Sequence, residues 1–503
     1  MIRKIRTVLA CLFFVAITLL FLDFTGTLHC YLGWLAKIQF LPAVLALNVG
    51  VVLALVVLTL LLGRVYCSVI CPMGVMQDCF GWLGGKAWKN RFHFAKNHWV
   101  LRAVVLVVFV LLMVLGLNGI AILIAPYSAY GRIATNLFQP VYMWLNNLCA
   151  YFAERADSYA FYSVDVWVKS GLLLAIAAVT FVVVGFLSFR WGRLWCNTIC
   201  PVGTVLGFLS QFSLFKPRID QGKCIGCKKC EKNCKSMCID IDHHQVDYSR
   251  CVACMDCIDN CPVKAIRLTA SKGQSVAQAQ AATAGTAQAA QSEKAQAVDT
   301  SRRKFVVTTA AVGGAMLLQA QETKVDGGLA VLEDKQLPER KVALKPFGAV
   351  SLKHFANHCT ACQLCVSACP QRVLRPSQGL TTLMQPEMQF DRGFCSPDCT
   401  RCSEVCPAGA ITKIDTAQKS AISIGHAVTV PQNCLLAQGE TCNACSRHCP
   451  TAAISLVSDS STGHSRVTVN ESRCIGCGAC EHYCPVRPFS AIYVEGREVH
   501  TEV

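Results

Sequence analysis

The chain has 503 residues, 53% of them hydrophobic and 16% charged, which is too apolar for a soluble protein of this length and predicts membrane segments. Its net charge of +16 is what Lys- and Arg-rich cytoplasmic loops give a polytopic protein, and it gives no reason to expect a nucleic-acid partner. The 33 cysteines would form a disulfide framework in a small secreted protein, but their spacing here assigns most of them elsewhere.

Four stretches are long and apolar enough to cross a hydrocarbon core of about 30 Å. They are Val8–Leu22, Ala43–Leu62, Ala103–Ala125 and Gly171–Ser188, and they predict a four-helix membrane domain over residues 1–215. Arg3, Lys4 and Arg6 flank the first, and Pro42 suits the start of the second. Between the second and third lie Arg64, Lys86, Lys89, Arg91, Lys96 and Arg102 against one acid, Asp78, whereas the opposite loops are poor in base. The positive-inside rule then puts the N-terminus and the segment after the fourth helix in the cytoplasm. No stretch carries a histidine near its middle, His29 and His98 lie near helix ends, and no C-x-x-C-H occurs, so no haem is expected.

The membrane half repeats itself. Gly63-Arg64-Val65-Tyr66-Cys67-Ser68-Val69-Ile70-Cys71-Pro72-Met73-Gly74 follows the second stretch, and Gly192-Arg193-Leu194-Trp195-Cys196-Asn197-Thr198-Ile199-Cys200-Pro201-Val202-Gly203 follows the fourth. The cysteines of each C-x3-C-P element are spaced i, i+4, which on a helix is one face. Cys67, Cys71, Cys196 and Cys200 are therefore candidates for a four-thiolate metal site or a thiol redox centre. Packed interfacial thiols are the bland alternative.

Six cysteine runs follow. Residues 216–270 hold Cys224, Cys227, Cys230, Cys234 and Cys251, Cys254, Cys257, Cys261-Pro262. The C-terminal third holds Cys359, Cys362, Cys365, Cys369-Pro370; Cys395, Cys399, Cys402, Cys406-Pro407; Cys434, Cys442, Cys445, Cys449-Pro450; and Cys474, Cys477, Cys480, Cys484-Pro485. The C-x2-C-x2-C-x3-C-P run is the ligand pattern of bacterial [4Fe–4S] ferredoxins, in which the fourth cysteine serves the neighbouring cluster. Zinc sites show two C-x2-C pairs set apart by a spacer, a different grammar. Six runs imply six [4Fe–4S] clusters. In the first pair, Cys224, Cys227 and Cys230 share a cluster with Cys261, and Cys251, Cys254 and Cys257 share one with Cys234. Sequential doublets in the C-terminal third give Cys359, Cys362, Cys365 with Cys406; Cys395, Cys399, Cys402 with Cys369; Cys434, Cys442, Cys445 with Cys484; and Cys474, Cys477, Cys480 with Cys449. A first-with-fourth arrangement stays open. Cys11, Cys30, Cys79 and Cys149 are spare, and Cys238, four residues after Cys234, is an alternative ligand.

Residues 271–300 are Ala, Gln, Ser and Thr with few large apolar residues, a flexible linker. Ser301-Arg302-Arg303-Lys304-Phe305-Val306 and a mild apolar run to Leu318 make residues 301–320 a Tat-like signal or an anchoring fifth helix. Either one exports residues 321–503; a buried soluble helix in its place would leave all six clusters inside.

On these residues the chain resembles two families joined end to end. Residues 1–270 resemble the NapH-type quinol-dehydrogenase subunit of periplasmic nitrate reductase systems, through the twin C-x3-C-P elements and the two runs at 224–261. Residues 301–503 resemble the NapG/MauM-type ferredoxins, through the twin arginine, the four runs, and Cys434-x7-Cys442 with its Gln438-Gly439. The resemblance implies an α-helical membrane bundle followed by α+β ferredoxin-like [4Fe–4S] domains, in a bacterial inner membrane, with the two-cluster domain cytoplasmic and the four-cluster domain periplasmic. Lys235 stands after Cys234 where proline is usual, and the Cys395–Cys399 gap is one residue longer than the standard pattern.

The expected function is electron transfer: menaquinol or another quinol is oxidised at the bundle, and electrons reach a periplasmic reductase or soluble electron carrier, as a quinol dehydrogenase or electron-transfer subunit would deliver them. The second reading is a maturation factor, of the copper-oxidase or nitrous-oxide-reductase accessory type, whose C-x3-C pairs handle a metal; no dedicated domain supports a redox sensor. No motif identifies a quinol-binding residue; Asp23, His29 and Lys37 lie near the outer face, where a neutral surface loop would hold the same residues.

Overall fold

A computed structural model describes residues 2–270, apart from 24, 88–91, 159 and 168, and residues 333–502, apart from 380–381 and 459–464. The linker at 271–300 and the signal-like segment at 301–320 lie outside the described residues. Contacts divide the chain into a unit of residues 1–271, 337–486 and 490–503, which carries every element named below, and a second unit of residues 272–336 with 487–489.

In chain order the main helices are α1 (Ile2–Leu22), α2 (Val49–Leu62), α3 (Val65–Val69), α4 (Pro72–Ala87), α5 (Trp99–Val114), α6 (Pro126–Ile133), α7 (Gly171–Trp191), α8 (Leu194–Thr198) and α9 (Pro201–Ser210), with shorter turns between them. Two of these, α1 and α7, are long and apolar enough to cross a membrane. The other two expected spans are broken. Leu47 takes a φ of 51°, and Asn48 then caps α2 by accepting the Val51 N–H at 3.3 Å. The stretch that begins as α5 stops at Gly116, whose φ of 77° is the left-handed conformation that ends helices, and resumes as short turns from Asn118. At 14 and 16 residues, α2 and α5 reach about 21 and 24 Å, short of the roughly 30 Å of a hydrocarbon core.

The internal repeat is visible as α2–α3–α4 and α7–α8–α9, and the halves interlock. The helix after each motif packs on the other half: α4 lies along α7, while α9 lies against α2 and α5.

The cysteine runs fold as nested ribbons. In residues 215–270, β1 (Phe215–Ile219) pairs antiparallel with β4 (Ile266–Ala270), and between them in sequence β2 (Ile239–Asp240) pairs with β3 (Gln245–Val246). The next module encloses β5 (Leu374–Pro376) and β6 (Pro386–Met388). Its start is tied to this hairpin by Met388 N–H to Leu344 O and to its end by Thr412 N–H to Gly348 O, each 2.9 Å. In the last, β7 (Ile422–Thr429) pairs with β10 (Ile492–Glu502) around β8 (Ile454–Ser458) and β9 (Ser465–Val469). Because the outer ribbon brings both ends of each module together, the end of either cysteine run lies beside the start of its partner.

Helix α1 sets the distance between the first two modules. At its N-terminus Arg3 pairs with Asp256 at 3.0 Å, in the 215–270 module. Near its C-terminus Phe21 faces Gly131 of α6, which in turn lies against the Cys362 carbonyl of the second module. Arg3 and Phe21 are 18 residues apart, so these two contacts lie about 27 Å apart along the helix.

One carboxylate ties this end together. Asp78 of α4 receives Arg193 Nη2 at 2.7 Å, Lys235 Nζ at 3.0 Å and Arg6 Nη1 at 3.6 Å. Burial alone would raise its carboxyl, but Arg193 and Lys235 hold it well below the usual carboxylate range. Removing one partner of a buried pair typically costs about 3–5 kcal/mol, because the other charge is left uncompensated. Asp78→Asn is therefore expected to destabilise the helical part by that order, seen as loss of visible absorbance at lower temperature than in the unaltered protein.

Candidate iron–sulfur sites

Four of the six runs share one loop geometry. The residues on either side of the second cysteine are left-handed: Gly226 and Lys228, Ala253 and Met255, Ala361 and Gln363, Gly476 and Gly478, with φ between 46° and 79°. The second of each pair starts the short helix bearing the third cysteine. Two such residues wind the chain around a point, and non-glycine residues there carry a steric cost of roughly 1–2 kcal/mol each, so the turn is imposed by what the loop encloses. In the runs with longer gaps the corresponding residues, Thr400 and Asn443, have negative φ. Gly478 also needs its missing Cβ, which would fall 2.3 Å from the Phe390 ring.

The structure gathers the cysteines into six groups. Cys224, Cys227, Cys230 and Cys261 line one small apolar cavity, and Cys234, Cys251, Cys254 and Cys257 line another, joined there by Cys238. Cys359, Cys362, Cys365 and Cys406 line a third, and Cys369, Cys395, Cys399 and Cys402 a fourth. Cys445 interacts with Cys434, Cys442 and Cys484, while Cys449 interacts with Cys474, Cys477 and Cys480. Each group takes three cysteines from one run and one from its neighbour. Burial pushes the Cys362, Cys395 and Cys445 thiols up to about 11 and those of Cys254 and Cys477 up to about 12, so these sulfurs hold their protons until a metal displaces them. Among the described residues no three His, Cys, Asp or Glu side chains are placed to hold a single metal ion. All-sulfur donor sets of this make-up fit iron–sulfur clusters.

Backbone N–H groups point at several of these sulfurs: Ala265 at Cys261 (3.2 Å), Ala453 at Cys449 (3.3 Å) and Ile411 at Cys406 (3.4 Å). The fourth group has a stronger donor that no motif announced. Lys419, 2% exposed, places Nζ 3.2 Å from Cys395 Sγ and 2.6 Å from each of the Ser396 and Cys399 carbonyls. Positive charge beside a cluster sulfur favours the reduced state. Lys419→Met is expected to lower the midpoint potential of one cluster and leave the others in place, read by an EPR-monitored redox titration.

Cys238 is 2% exposed, lies 3.6 Å from Cys234 Sγ, and also hydrogen-bonds Cys251. It lines the same cavity as Cys234. Either Cys234→Ser or Cys238→Ser alone is expected to retain the iron of that group, and the double variant to lose it, by iron analysis of the purified chain.

The twin C-x3-C-P elements do not place each cysteine pair on one helix face. Cys67 and Cys196 sit in α3 and α8, but Cys71 and Cys200 are the turn residues just before α4 and α9. Pro72 and Pro201 are the cause, since the residue before a proline is driven out of the helical region; Cys200 has ψ 117°. All four thiols are buried and near one another: Cys71 interacts with Cys196 and Cys67, and Cys200 with Cys196, Cys67 and Cys71. The spare Cys11, Cys30, Cys79 and Cys149 are exposed. Asp23 is committed to its own loop, accepting N–H bonds from Thr25, Gly26 and Leu28 at 2.8–2.9 Å with His29 at 3.9 Å, and Lys37 is exposed.

Residues 358–410 and 440–487 match a 4Fe-4S dicluster domain family, residues 244–267 a 4Fe-4S binding domain, and residues 44–91 and 171–220 a second family of that description. The ferredoxin-type protein NapG of Escherichia coli (strain K12) is 35% identical over 209 residues, covering 36% of this chain and 80% of NapG. The chain belongs to this ferredoxin-type family. The methylamine utilization ferredoxin-type protein MauM of Methylobacillus flagellatus is 34% identical, covering 34% of this chain and 76% of MauM. The ferredoxin-type protein NapF of Escherichia coli (strain K12) is 32% identical, covering 28% of this chain and 79% of NapF. No solved structure matches at a significant level. The chain is thus an iron–sulfur electron-transfer protein of the ferredoxin type, and it is longer than the stretch that any of these three relatives covers.

Proposed function

We propose that the chain is a membrane-bound relay that oxidises a quinol and delivers electrons through six [4Fe–4S] clusters to a periplasmic reductase of the nitrate-reductase type, as a fusion of a NapH-like and a NapG-like protein. The single observation that carries the relay is the gathering of twenty-four cysteines into six groups of four, strung through three nested modules. The clusters would supply one-electron chemistry. The residues around them exclude water, direct N–H groups at sulfur, and hold neighbouring groups in fixed order, since each run lends its last cysteine to the next group.

The proposed topology has four crossings, two by α1 and α7 and two by the interrupted stretches 43–62 and 103–125, with the N-terminus and residues 216–270 in the cytoplasm and residues 321–503 exported. Two full-length apolar helices support it, as does the docking of the first two ferredoxin modules at points about 27 Å apart along α1. Trp167 supports the outer docking: it lies under the guanidinium groups of Arg375 (5.0 Å) and Arg392 (4.8 Å).

Anaerobic addition of menaquinol to the reconstituted protein is expected to bleach its visible iron–sulfur absorbance. Absence of bleaching in protein that dithionite still reduces would remove quinol as the donor. It would favour the maturation-factor reading, which a Cys67→Ser, Cys196→Ser variant then tests through metal delivery to the target enzyme.

A further inference from the structure

Residues 44–91 and 171–220 each match a 4Fe-4S binding domain, yet each contributes only two buried thiols, half of what a cluster needs; the first stretch's other cysteine, Cys79, is exposed. We propose that the two repeats pool their thiols, so that Cys67, Cys71, Cys196 and Cys200 together hold one shared iron–sulfur cluster, a seventh centre lying between the halves. The proposal rests on the electron-transfer reading and adds a site that the six ferredoxin runs do not contain.

The surroundings of the four thiols repeat with two-fold symmetry. Arg64 Nη2 donates to the Cys196 carbonyl at 3.3 Å, and its counterpart Arg193 donates through Nη1 to the Cys67 carbonyl. Gly74 and Gly203 let these arginines in: a Cβ on Gly74 would lie 2.9 Å from Arg193 Nη1 and 2.2 Å from the Cys67 carbonyl, and one on Gly203 would lie 2.8 Å from Arg64 Nη2 and 2.3 Å from the Cys196 carbonyl. Each half thus clamps the first cysteine of the other. Donors aim at the sulfurs: Gly203 N–H lies 3.3 Å from Cys200 Sγ and Gln77 Nε2 lies 3.3 Å from Cys196 Sγ.

Charge decides between packed thiols and an anionic centre. Both arginines are fully buried. Arg193 has Asp78 as counter-ion, but Arg64 is met only by Asn197 Oδ1 at 2.9 Å, by carbonyls, and by Cys67 Sγ at 3.9 Å, and among the described residues it forms no ion pair. A buried guanidinium without an anion is costly. Four neutral thiols supply none, whereas a cluster bound by four thiolates carries net negative charge at that spot. The thiols are also not placed to hold a single ion, which they share with the six ferredoxin groups. An electron would enter from one neighbouring iron–sulfur cluster and leave to another, with iron cycling between ferric and ferrous and no bond made or broken.

The test uses the full chain, purified anaerobically. Replacing Cys67, Cys71, Cys196 and Cys200 together by Ala is expected to remove two or four irons per chain and one component of the EPR or Mössbauer spectrum, leaving the remaining clusters intact. Unchanged iron and spectra, a stoichiometric zinc or copper lost instead, or a disulfide among the four in the unaltered protein would each overturn it. Should the fourfold variant fail to fold, Gln77→Leu decides, since it deletes only a donor to Cys196 Sγ. One cluster should then titrate at lower potential with iron content unchanged, and identical titrations would reject the shared cluster. A complete absence of iron–sulfur signals in the unaltered chain would instead sink the electron-transfer reading.

Discussion

The helical half is organised around buried charge, and Asp78 is its keystone. Its carboxylate takes cations from three separate places: the start of α1, the turn before α8, and the loop after Cys234. Lys235 then continues to Asp256 at 3.2 Å, and Asp256 to Arg3, so that the first ferredoxin module and the first helix are held by one alternating chain of charges. An exposed ion pair contributes little, but these groups are largely shielded from water, and their value lies in geometry. They fix the turn that presents Cys196 and Cys200 against the turn that presents Cys67 and Cys71.

That arrangement explains why the repeat exchanges helices. If α4 packed beside its own α2 and α9 beside its own α7, each cysteine pair would face its own half. Because α4 lies on α7 and α9 on α2, the pairs face each other, and each arginine reaches the opposite carbonyl. The duplication is visible in sequence as two similar twelve-residue elements, but the exchange is a tertiary fact that no local pattern encodes.

Much of the rest was legible because cysteine spacing is a direct record of ligand geometry. The runs and the sequential grouping of their cysteines could be read from the chain, since nested ribbons leave each run beside its neighbour. The proline rule could also have placed Cys71 and Cys200 in turns, but the i, i+4 spacing was read instead as one helix face. Asp78 had a signal too, as the lone acid among six bases. Lys419 had none: it lies twenty residues beyond Cys399, and only the packing of its short helix under the 395–402 run, above the Phe347 ring, brings it to sulfur. The breaks at Leu47 and Gly116 were hidden because apolar composition continues through them; backbone conformation, not hydropathy, ends those helices.

The broken helices bear on how electrons would cross. A continuous four-helix bundle would put about 30 Å of aliphatic side chains between inner and outer clusters. Here the interrupted segments fold back into the interior. Gln39 and Phe40 reach down to Tyr66, whose hydroxyl donates to Gln39 Oε1 at 2.9 Å and accepts the Phe40 N–H at 3.1 Å, one residue from Cys67. From the other break, α6 brings Tyr130 and Tyr127 against Phe21, and Tyr127 lies close to Cys362 and Cys406. Cys67, Cys71, Tyr66, Phe21, Tyr130, Tyr127 and Cys362 belong to one continuous buried cluster. The path between the two modules is therefore divided. A redox centre at the repeat axis would stand between the first ferredoxin module, whose Ser249 and Arg250 carbonyls accept from Arg64, and the aromatic segments that lead to the second. The same departures from regular helix that shorten two spans also furnish the dense, dry packing through which such a relay would run.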